Sequence, residues 1–328
     1  MTLTAQPPAV AVAPPAPPAP PAPRDVHRDV LVELIARDER VVCLDSDTGL
    51  FSGVDWGAAA DRYVNVGIAE QNMMSVAAGL ARSGRIPYVH TMATFATTRA
   101  LEAVKLDIAY NKLPVRIVAT HAGLSAGHYG TTHQSLEDLA VMRMLPGMTV
   151  LVPADAAATR DLDQAGTYLP GPVYLRLGRS GTPDLPSDAE PVRIGRARRL
   201  REGQHVTLVA SGPYPVLTAL EAADELAAQG VSATVLDLHT VKPLDTATLV
   251  SEAERTAGVV TVEEHWAAGG LGSAVAECLA ELGPPRRVRR VAVGDTFALG
   301  RGGHRHLLAA NGITAEAVVA QAREVLRR

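Results

Sequence analysis

The chain has 328 residues, a length that suits two domains, and 47% of them are hydrophobic, so large cores can be buried. The formal net charge of −4 gives no global electrostatic basis for binding nucleic acid or an anionic membrane. No apolar run is long enough for a membrane-spanning helix, and no signal peptide is expected, because the N-terminus lacks a basic stretch followed by an apolar one. Cys43 and Cys278 lie in apolar segments and are expected to be reduced core residues of a cytoplasmic protein.

Residues 1–23 consist almost entirely of Ala, Pro and Val, with a proline every two or three positions. Because proline removes a backbone donor and fixes φ, this stretch predicts a disordered, extended tail of polyproline II character. A docking role for the tail is the alternative interpretation, and the composition favours a plain extension.

From residue 24 onward, short apolar runs alternate with longer helical segments. Apolar runs without polar alternation predict strands that are buried on both faces, as in a parallel sheet covered by helices. The predicted strands are VVCLD from Val41, YVNV from Tyr63, IPYVHT from Ile86, VRIVAT from Val115, TVLVP from Thr149 and PVYLRL from Pro172. Helical spacing of apolar residues covers 69–83 and 94–110.

A segment rich in Pro, Asp and Ser at 181–191 predicts a domain boundary, after which the alternation resumes. The strands expected there are HVTLVASG, ATVLDL, GVVTVEE and RRVAVGD, with helices over 215–229, 245–257 and 270–282. We therefore predict an α/β protein with two domains, residues 24–185 and 186–328, each a mostly parallel sheet flanked by helices.

Glu70 lies where the strand of DRYVNVG passes into an Ala-rich helix, with Ile68, Met73 and Met74 around it. A carboxyl group in such a place is poorly hydrated, so its protonated form is expected to persist near neutral pH. The position alone favours the other interpretation, an ordinary glutamate in the first turn of a helix, where it interacts well with the helix dipole.

Several segments occur in the order found in one known family. RYVNVGIAEQNMMSVAAGLA, LPVRIVATHAGL and GTTHQSLEDLAVMRMLPGMTVLVPAD resemble the pyrimidine-binding domain of transketolases and 1-deoxyxylulose-5-phosphate synthases. VVTVEEHWAAGGLGSAVAE resembles the C-terminal domain of the same superfamily. The resemblance covers roughly residues 40–328 and implies a thiamine-diphosphate-dependent enzyme.

The resemblance assigns roles at the cofactor. It implies that Glu70 is catalytic, bonded to N1′ of the aminopyrimidine and relaying the proton that leads to the nucleophilic ylide. It also implies that Phe95 stacks on the pyrimidine and that Met92 stands where many transketolases carry a second aromatic ring. Asp47, in LDSDTG, matches an acidic position near the cofactor, and an Asx-turn or helix cap is an equal alternative for it.

Three further residues follow predicted strands, at the edge where ligands bind in open α/β sheets: His121, His133 and Arg179. Lone histidines are more often structural than functional. The resemblance implies that His121 and Arg179 hold a sugar phosphate and that His133 is catalytic, contacting substrate hydroxyls or the developing oxyanion. Arginine suits phosphate because its guanidinium forms a bidentate fork.

One position departs from the family pattern. Transketolases that use sugar phosphates usually carry an aspartate four positions before the histidine placed at His133, and this chain has Tyr129 in GHYGTTH. That aspartate is associated with reading a donor hydroxyl, so its replacement puts the ordinary pentose-phosphate substrates in doubt. The adjacent His128 substitutes for it, or the substrate is an unusual ketose or an α-keto acid.

The family binds the cofactor diphosphate through Mg²⁺, held by Gly-Asp-Gly with an asparagine roughly 25–30 residues later. The nearest string here is Val293-Gly294-Asp295-Thr296, followed only by Asn311, so it lacks the second glycine and the right spacing. The resemblance thus implies that a separately encoded N-terminal subunit supplies the Mg²⁺ ligands, as part of an α₂β₂ assembly. The Ala-rich helix after Glu70 is expected to contribute to that contact.

Three other segments are interpreted as structural. His304 and His306 form an H-x-H with no third ligand at a suitable spacing, and GGLGS near Gly269 is expected to serve tight helix packing. The arginine clusters at 193–201 and 286–290 are expected to be solvated flanks of strands.

The leading hypothesis is a two-component transketolase that transfers a two-carbon ketol unit from a ketose, expected to be a phosphate, to an aldose. The β subunit of a 2-oxo acid dehydrogenase, or of a related acyl- or acetyl-transferring synthase, is the first alternative, since these proteins share the architecture. A non-catalytic assembly subunit is the second, and the joint presence of Glu70, Phe95 and His133 argues against it.

Overall fold

The computed structural model describes residues 20–185, 191–298 and 300–327. Most of the tail predicted at 1–23 lies outside these ranges, as does the 186–190 part of the predicted boundary. Helix α1 (Pro23–Arg37) begins at Pro23, the last residue of the predicted tail. Proline suits the first position of a helix, where its missing N–H has no partner to lose.

The first sheet is built from the strands predicted in the first half of the chain. They are β1 (Val41–Asp45), β2 (Tyr63–Asn65), β3 (Ile86–Met92), β4 (Arg116–Thr120), β5 (Thr149–Leu151) and β6 (Val173–Arg176). All six run parallel to their neighbours in the order β5-β6-β4-β3-β1-β2. Every residue of β1, β4 and β6 is buried, as expected for strands covered on both faces.

Helices cover this sheet: α2 (Glu70–Arg82), α3 (Leu101–Ala103), α4 (Asp138–Met144) and α5 (Ala156–Gly166). The helix predicted over 94–110 forms, but with π-helical turns at Phe95–Arg99 and Val104–Ala109 on either side of α3. Such wide turns are rare and often lie at functional sites. Short 3₁₀ turns span Gly57–Arg62 and Gly127–Tyr129.

The second sheet contains β7 (Arg198–Arg201), β8 (Val206–Ala210), β9 (Ala233–Asp237), β11 (Gly258–Trp266) and β12 (Arg287–Val293). Their order is β12-β11-β8-β9-β7, parallel except for the edge strand β7. The flanking helices are α6 (Pro213–Ala227), α7 (Thr246–Arg255), α8 (Leu271–Leu282), α9 (His304–Ala310) and α10 (Ala315–Leu326). The predicted α/β class with two mostly parallel sheets is confirmed.

The two halves share structure. Strand β10 (Thr240–Lys242) comes from the second half but pairs antiparallel with β5 as the seventh strand of the first sheet. One hydrophobic core also joins them, since Val89 and Ile117 of the first sheet belong to the same cluster as Val209 and Leu236 of the second. The exact division at residue 185 stays a prediction.

The GGLGS segment packs a carboxylate tightly against the start of α8. Glu263, at 1% exposure, accepts hydrogen bonds from the backbone N–H groups of Leu271 and Gly272 at 2.6 and 2.8 Å. A Cβ on Gly270 would collide with Glu263 Oε2, so glycine is required for this approach. Tight packing, as predicted, explains the glycines.

The interpretation of residues 193–201 as solvated flanks is wrong for Arg198. Its side chain is buried and its Nη2 lies 3.0 Å from Asp237 and 3.5 Å from Asp155, which caps α5 in the first half. Cys43 and Cys278 are buried free thiols. Among the residues that the structure describes, no helix combines the length and apolar character needed to cross a bilayer.

Candidate active site

The loops that follow the parallel strands of the first sheet emerge at one edge. Because neighbouring parallel strands all point the same way, their carboxyl ends meet there. Asp47 follows β1, Glu70 follows β2, Phe95 follows β3, His121 follows β4 and Arg179 follows β6. One edge of one sheet therefore carries residues that lie up to 132 positions apart in the sequence, from Asp47 to Arg179.

Glu70 opens helix α2 and lies almost out of reach of water. Its relative exposure is 2%, and it lines an open groove of about 500 Å³ at the start of the helix. Beneath it, Met73 and Met74 are fully buried, whereas Ile68 is 74% exposed. The poor hydration expected for this carboxyl group is observed, but its neighbours are not only the apolar ones noted in the sequence. Nη1 of Arg99 donates a hydrogen bond to Glu70 Oε2 at 2.9 Å.

A second acidic residue supports the loop in front of Glu70. Asp47 has a left-handed φ of 61° and accepts a hydrogen bond from Asn65 Nδ2 at 3.0 Å. Asn65 Oδ1 in turn accepts from the backbone N–H of Gly67 at 2.9 Å, three residues before Glu70. Asp47 is thus linked through Asn65 to the turn that leads into α2.

Phe95 presents an aromatic face beside the Glu70 carboxylate. The guanidinium carbon of Arg99 lies 4.3 Å from the centroid of the Phe95 ring, and the ring of His133 meets Phe95 edge-on at 5.4 Å. Met92, the last residue of β3, is half-buried three positions earlier. A flat, nitrogen-bearing group is therefore accommodated between an aromatic ring and a carboxylate.

A row of histidines and one arginine continues from Phe95. Tyr129 lies at its centre, with ring centroids 5.0 Å from His133, 4.2 Å from His128 and 5.9 Å from His121. Arg179 closes the row, with its guanidinium carbon 5.4 Å from the Tyr129 ring centroid and its Nη1 donating to His128 Nδ1 at 2.8 Å. The predicted substrate residues are thus brought together.

His121 is neutral at physiological pH. Burial, followed by the positive charges of Arg24 and Arg179, lowers the pKa of His121 to about 4. Its backbone φ is 56°, a left-handed conformation that a histidine adopts only when its surroundings impose it. A neutral imidazole still donates one hydrogen bond, so it can bind an anionic oxygen without adding charge.

Residues from the second half of the chain hold the loop 121–135 in place. Glu264 on β11 accepts a hydrogen bond from the backbone N–H of Leu124, and His304 Nε2 lies 2.7 Å from Glu264 Oε1. Gly123 has φ +60°, and a Cβ there would collide with the Glu264 carboxylate. His304 of the H-x-H pair is therefore a partner of Glu264.

Sequence reasoning missed Arg99 and Glu264. Arg99 is a cation among threonines in a helical segment, and only its position four residues after Phe95 hinted at a shared helix face. Glu264 ends a continuous apolar strand, GVVTVEE, and a charged residue in a strand buried on both faces needs a partner. That partner lies 140 residues away.

The string nearest to a diphosphate-binding motif belongs to the second half of the chain. Gly294 and Asp295 follow β12 of the second sheet, and the Asn311 amide donates to Leu307 O at the end of α9. Across 20–185, 191–298 and 300–327, no group of three or more His, Cys, Asp or Glu is arranged to hold a metal ion.

Comparisons with known proteins agree with this geometry. The profile of the transketolase pyrimidine binding domain matches residues 19–184, and that of the transketolase C-terminal domain matches residues 195–318. A 6-deoxy-6-sulfo-D-fructose transketolase subunit from Clostridium sp. (strain MSTE9) is 42% identical over 308 residues, which are 93% of this chain and 94% of that protein.

Two further proteins are similar over nearly their whole length. An apulose-4-phosphate transketolase subunit of Phocaeicola vulgatus is 36% identical over 92% of this chain and 96% of its own. A solved structure described as a split gene transketolase, inactive beta4 tetramer, superposes with a TM-score of 0.83 at 45% identity, covering 93% of this chain and 98% of that one. These findings give no support to the 2-oxo acid dehydrogenase alternative.

Proposed function

Since this chain belongs to the transketolase family, we propose that it completes a two-component transketolase with a separately encoded N-terminal subunit. One observation carries the site assignment. A nearly buried carboxylate, an aromatic face and a row of histidines with one arginine lie side by side along a single sheet edge.

The residues at Glu70 fit the pyrimidine half of thiamine diphosphate. Glu70 would hold a proton at the pyrimidine nitrogen N1′, and Phe95 would stack on the ring, with Met92 filling the space beside it and Asp47 supporting the turn that leads to Glu70. The planar guanidinium of Arg99 already makes a stacking contact and a carboxylate contact of this kind. When bound, the cofactor supplies the carbanion chemistry of ketol transfer.

The far end of the row suits the anionic group of a sugar. Arg179 offers a guanidinium fork, and His128 and His121 add imidazole nitrogens. Arg24 and Arg179 supply positive charge at His121. The sugars in the names of the two relatives reported above carry a sulfonate and a phosphate group. We therefore assign a ketose with a terminal anionic group as the donor and His133, next to Phe95, as the catalytic residue at its hydroxyls or developing oxyanion.

Tyr129 bears on the choice of substrate. A phenol between three imidazole rings offers one hydroxyl where a carboxylate would accept two or more hydrogen bonds from a sugar. A donor whose hydroxyl pattern does not require that carboxylate is favoured. The substrate is thus proposed to be a specialised ketose rather than an ordinary pentose phosphate.

The partner subunit is proposed to cover the face on which Glu70 opens. Exposed apolar side chains lie on and beside α2 and the π-helical segment Val104–Ala109. They are Ile68 (74%), Val76 (39%), Leu106 (46%) and Tyr110 (81%). Ser75 Oγ donates to Asp107 Oδ2 at 2.6 Å and joins the two elements into one surface. Exposed apolar side chains gathered on one surface mark a protein contact. We propose that the partner brings the Mg²⁺ ligands and that the two chains form an α₂β₂ enzyme. We also propose the cytoplasm as its location, where thiols such as Cys43 and Cys278 stay reduced.

Reconstitution tests the proposal. The purified chain is mixed with the partner subunit, thiamine diphosphate and Mg²⁺, and ketol transfer to an aldose is followed with a panel of ketose phosphates, sulfo-sugars and pyruvate. We expect transfer from an anionic ketose in the mixture. Turnover by this chain alone would contradict the shared site, and rapid decarboxylation of pyruvate without ketose cleavage would favour the 2-oxo acid alternative.

A matched variant tests the role of Glu70. Glu70→Gln keeps the size and a hydrogen bond to Arg99, but an amide cannot transfer a proton. We therefore expect turnover to fall by about 100-fold or more while circular dichroism shows that the fold is intact. Glu102→Gln, in the same helical region, serves as the control and should leave turnover unaltered. Full turnover by Glu70→Gln would rule out the proton role.

A further inference from the structure

Arg99 lies between the two residues that the proposed function gives to the pyrimidine ring. Its Nη1 donates to Glu70 Oε2 at 2.9 Å, and its guanidinium carbon lies 4.3 Å from the Phe95 ring centroid. The flat guanidinium therefore covers the aromatic face and is bonded to the carboxylate at the same time. These are the same two partners that an aminopyrimidine would use.

The π-helical turn Phe95–Arg99 places the arginine there. The backbone N–H of Ala100 bonds to the carbonyl of Phe95 at 3.1 Å, an i to i+5 bond that takes more residues per turn than an α-helix does. Residues four positions apart are consequently closer to alignment along the helix axis. Arg99 projects over the ring of Phe95 and from there reaches Glu70 on α2.

The arginine and a pyrimidine ring exclude each other. Both need the face of Phe95, and they need opposite forms of Glu70. A guanidinium donates and requires a carboxylate acceptor, whereas the ring nitrogen N1′ accepts and requires a carboxyl donor. Arg99 must therefore leave before the ring can enter.

The exposures of the two side chains favour a movement of Arg99 rather than of Glu70. The Arg99 side chain is 49% exposed, whereas that of Glu70 is 2% exposed. The arginine can turn out into solvent by rotating its own side-chain bonds, while the carboxyl group is held beneath it at the start of α2. A buried carboxylate without a counter-charge is costly, so the ion pair stabilises the chain while no cofactor is bound.

Resting on the proposed function, we propose that Arg99 is an internal placeholder for the cofactor. It fills the pyrimidine position in the unloaded subunit and swings out when thiamine diphosphate binds. A site whose competent form is only partly populated binds its ligand more weakly by that fraction, so the placeholder lowers the apparent affinity for the cofactor.

Equilibrium binding tests the placeholder. Titration calorimetry measures the Kd of thiamine diphosphate with Mg²⁺ for the assembled complex, carrying wild-type chain, Arg99→Ala, Arg99→Lys or the control Arg82→Ala. Arg82 is an exposed cation at the other end of α2. We expect Arg99→Ala to bind roughly three- to tenfold more tightly than wild type and Arg82→Ala to match wild type. Arg99→Lys, which keeps the charge but has no flat group to stack, is expected between them.

The unassembled chain gives a second readout. Thermal unfolding of Arg99→Ala should occur at a lower temperature than wild type, and the Arg99→Ala/Glu70→Gln double variant should recover part of that loss because no unpaired charge remains. An unchanged Kd in Arg99→Ala would overturn the placeholder and leave the proposed function intact. Weaker binding would overturn it by making Arg99 a cofactor contact, and no binding by any variant, wild type included, would remove the proposed function itself.

Discussion

Glu264 connects the second half of the chain to the loop that carries the predicted substrate residues. It is 4% exposed and accepts from the Leu124 N–H, and its Oε1 lies 2.7 Å from His304 Nε2. Glu264→Ala leaves the Leu124 N–H and His304 Nε2 without their hydrogen-bond partner, and each loss costs about 1–3 kcal/mol of stability. It also opens a gap against Gly123. Partial relaxation of the loop reduces that sum, so we expect a loss of about 3 kcal/mol in the free energy of unfolding.

Thermal unfolding followed by circular dichroism measures this loss, expected as a melting temperature lower by roughly 4–8 °C. Glu264→Gln is the matched control, because its amide oxygen still accepts a hydrogen bond from the Leu124 N–H. Its free energy of unfolding should lie closer to that of wild type than to that of Glu264→Ala. In the assembled enzyme, the loosened loop should raise the KM for the ketose more than it lowers kcat. An alanine variant within about 0.5 kcal/mol of wild type would show that the second half does not hold the loop.

Gly270→Ala should destabilise the chain by about 2 kcal/mol in urea unfolding, because its Cβ would collide with Glu263 Oε2, while Gly79→Ala, with open space around it, should be neutral or slightly stabilising. Burial holds the pKa of His90 well below its usual 6.5, so the unfolded chain binds more protons and the free energy of unfolding should fall as the pH drops below 6.5. Urea midpoints at pH 7.5 and 5.5 should therefore differ less in His90→Gln than in wild type, and an equal difference would assign the acid sensitivity to other groups. Tyr129→Asp should shift the ratio of kcat/KM between ordinary pentose phosphates and the preferred ketose by about tenfold towards the former, and an unchanged ratio would remove Tyr129 from substrate selection.

Local patterns predicted most of the elements, because each depends on nearby residues. VVCLD and VRIVAT are typical of strands buried on both faces, and the helix expected over 69–83 is observed at Glu70–Arg82. The failures are non-local. Strand β10 belongs to the first sheet only because β5 offers it an antiparallel edge about 90 residues away in the chain, and no spacing rule encodes that pairing.

The site shows the same limit. The order of strands explains why Glu70, Phe95, His121 and Arg179 share an edge, and that was predictable from strand ends. The contact between Arg99 and Glu70 spans 29 positions and depends on a π-helical turn that no residue pattern announced. Sequence thus located the groups proposed to bind cofactor and substrate better than it located the groups that bind one another.

A catalytic centre divided between two polypeptides sets a physical problem for each of them. The half that carries Glu70 folds with a carboxylate at 2% exposure beside a groove that the proposed partner would close. Until then, a charge held out of water needs compensation. Arg99 supplies this compensating charge from within the chain. Because its side chain is half-exposed, the contact with Glu70 can be broken again. Ile68 and Tyr110 are exposed apolar residues of the surface proposed for the partner, so the proposed assembly, not folding, would bury them. If cofactor binding requires Arg99 to leave, the cofactor and the partner subunit act on the same face of this chain, and each favours binding of the other. The cofactor should then lower the Kd between the subunits by the same factor by which the partner lowers the Kd of the cofactor.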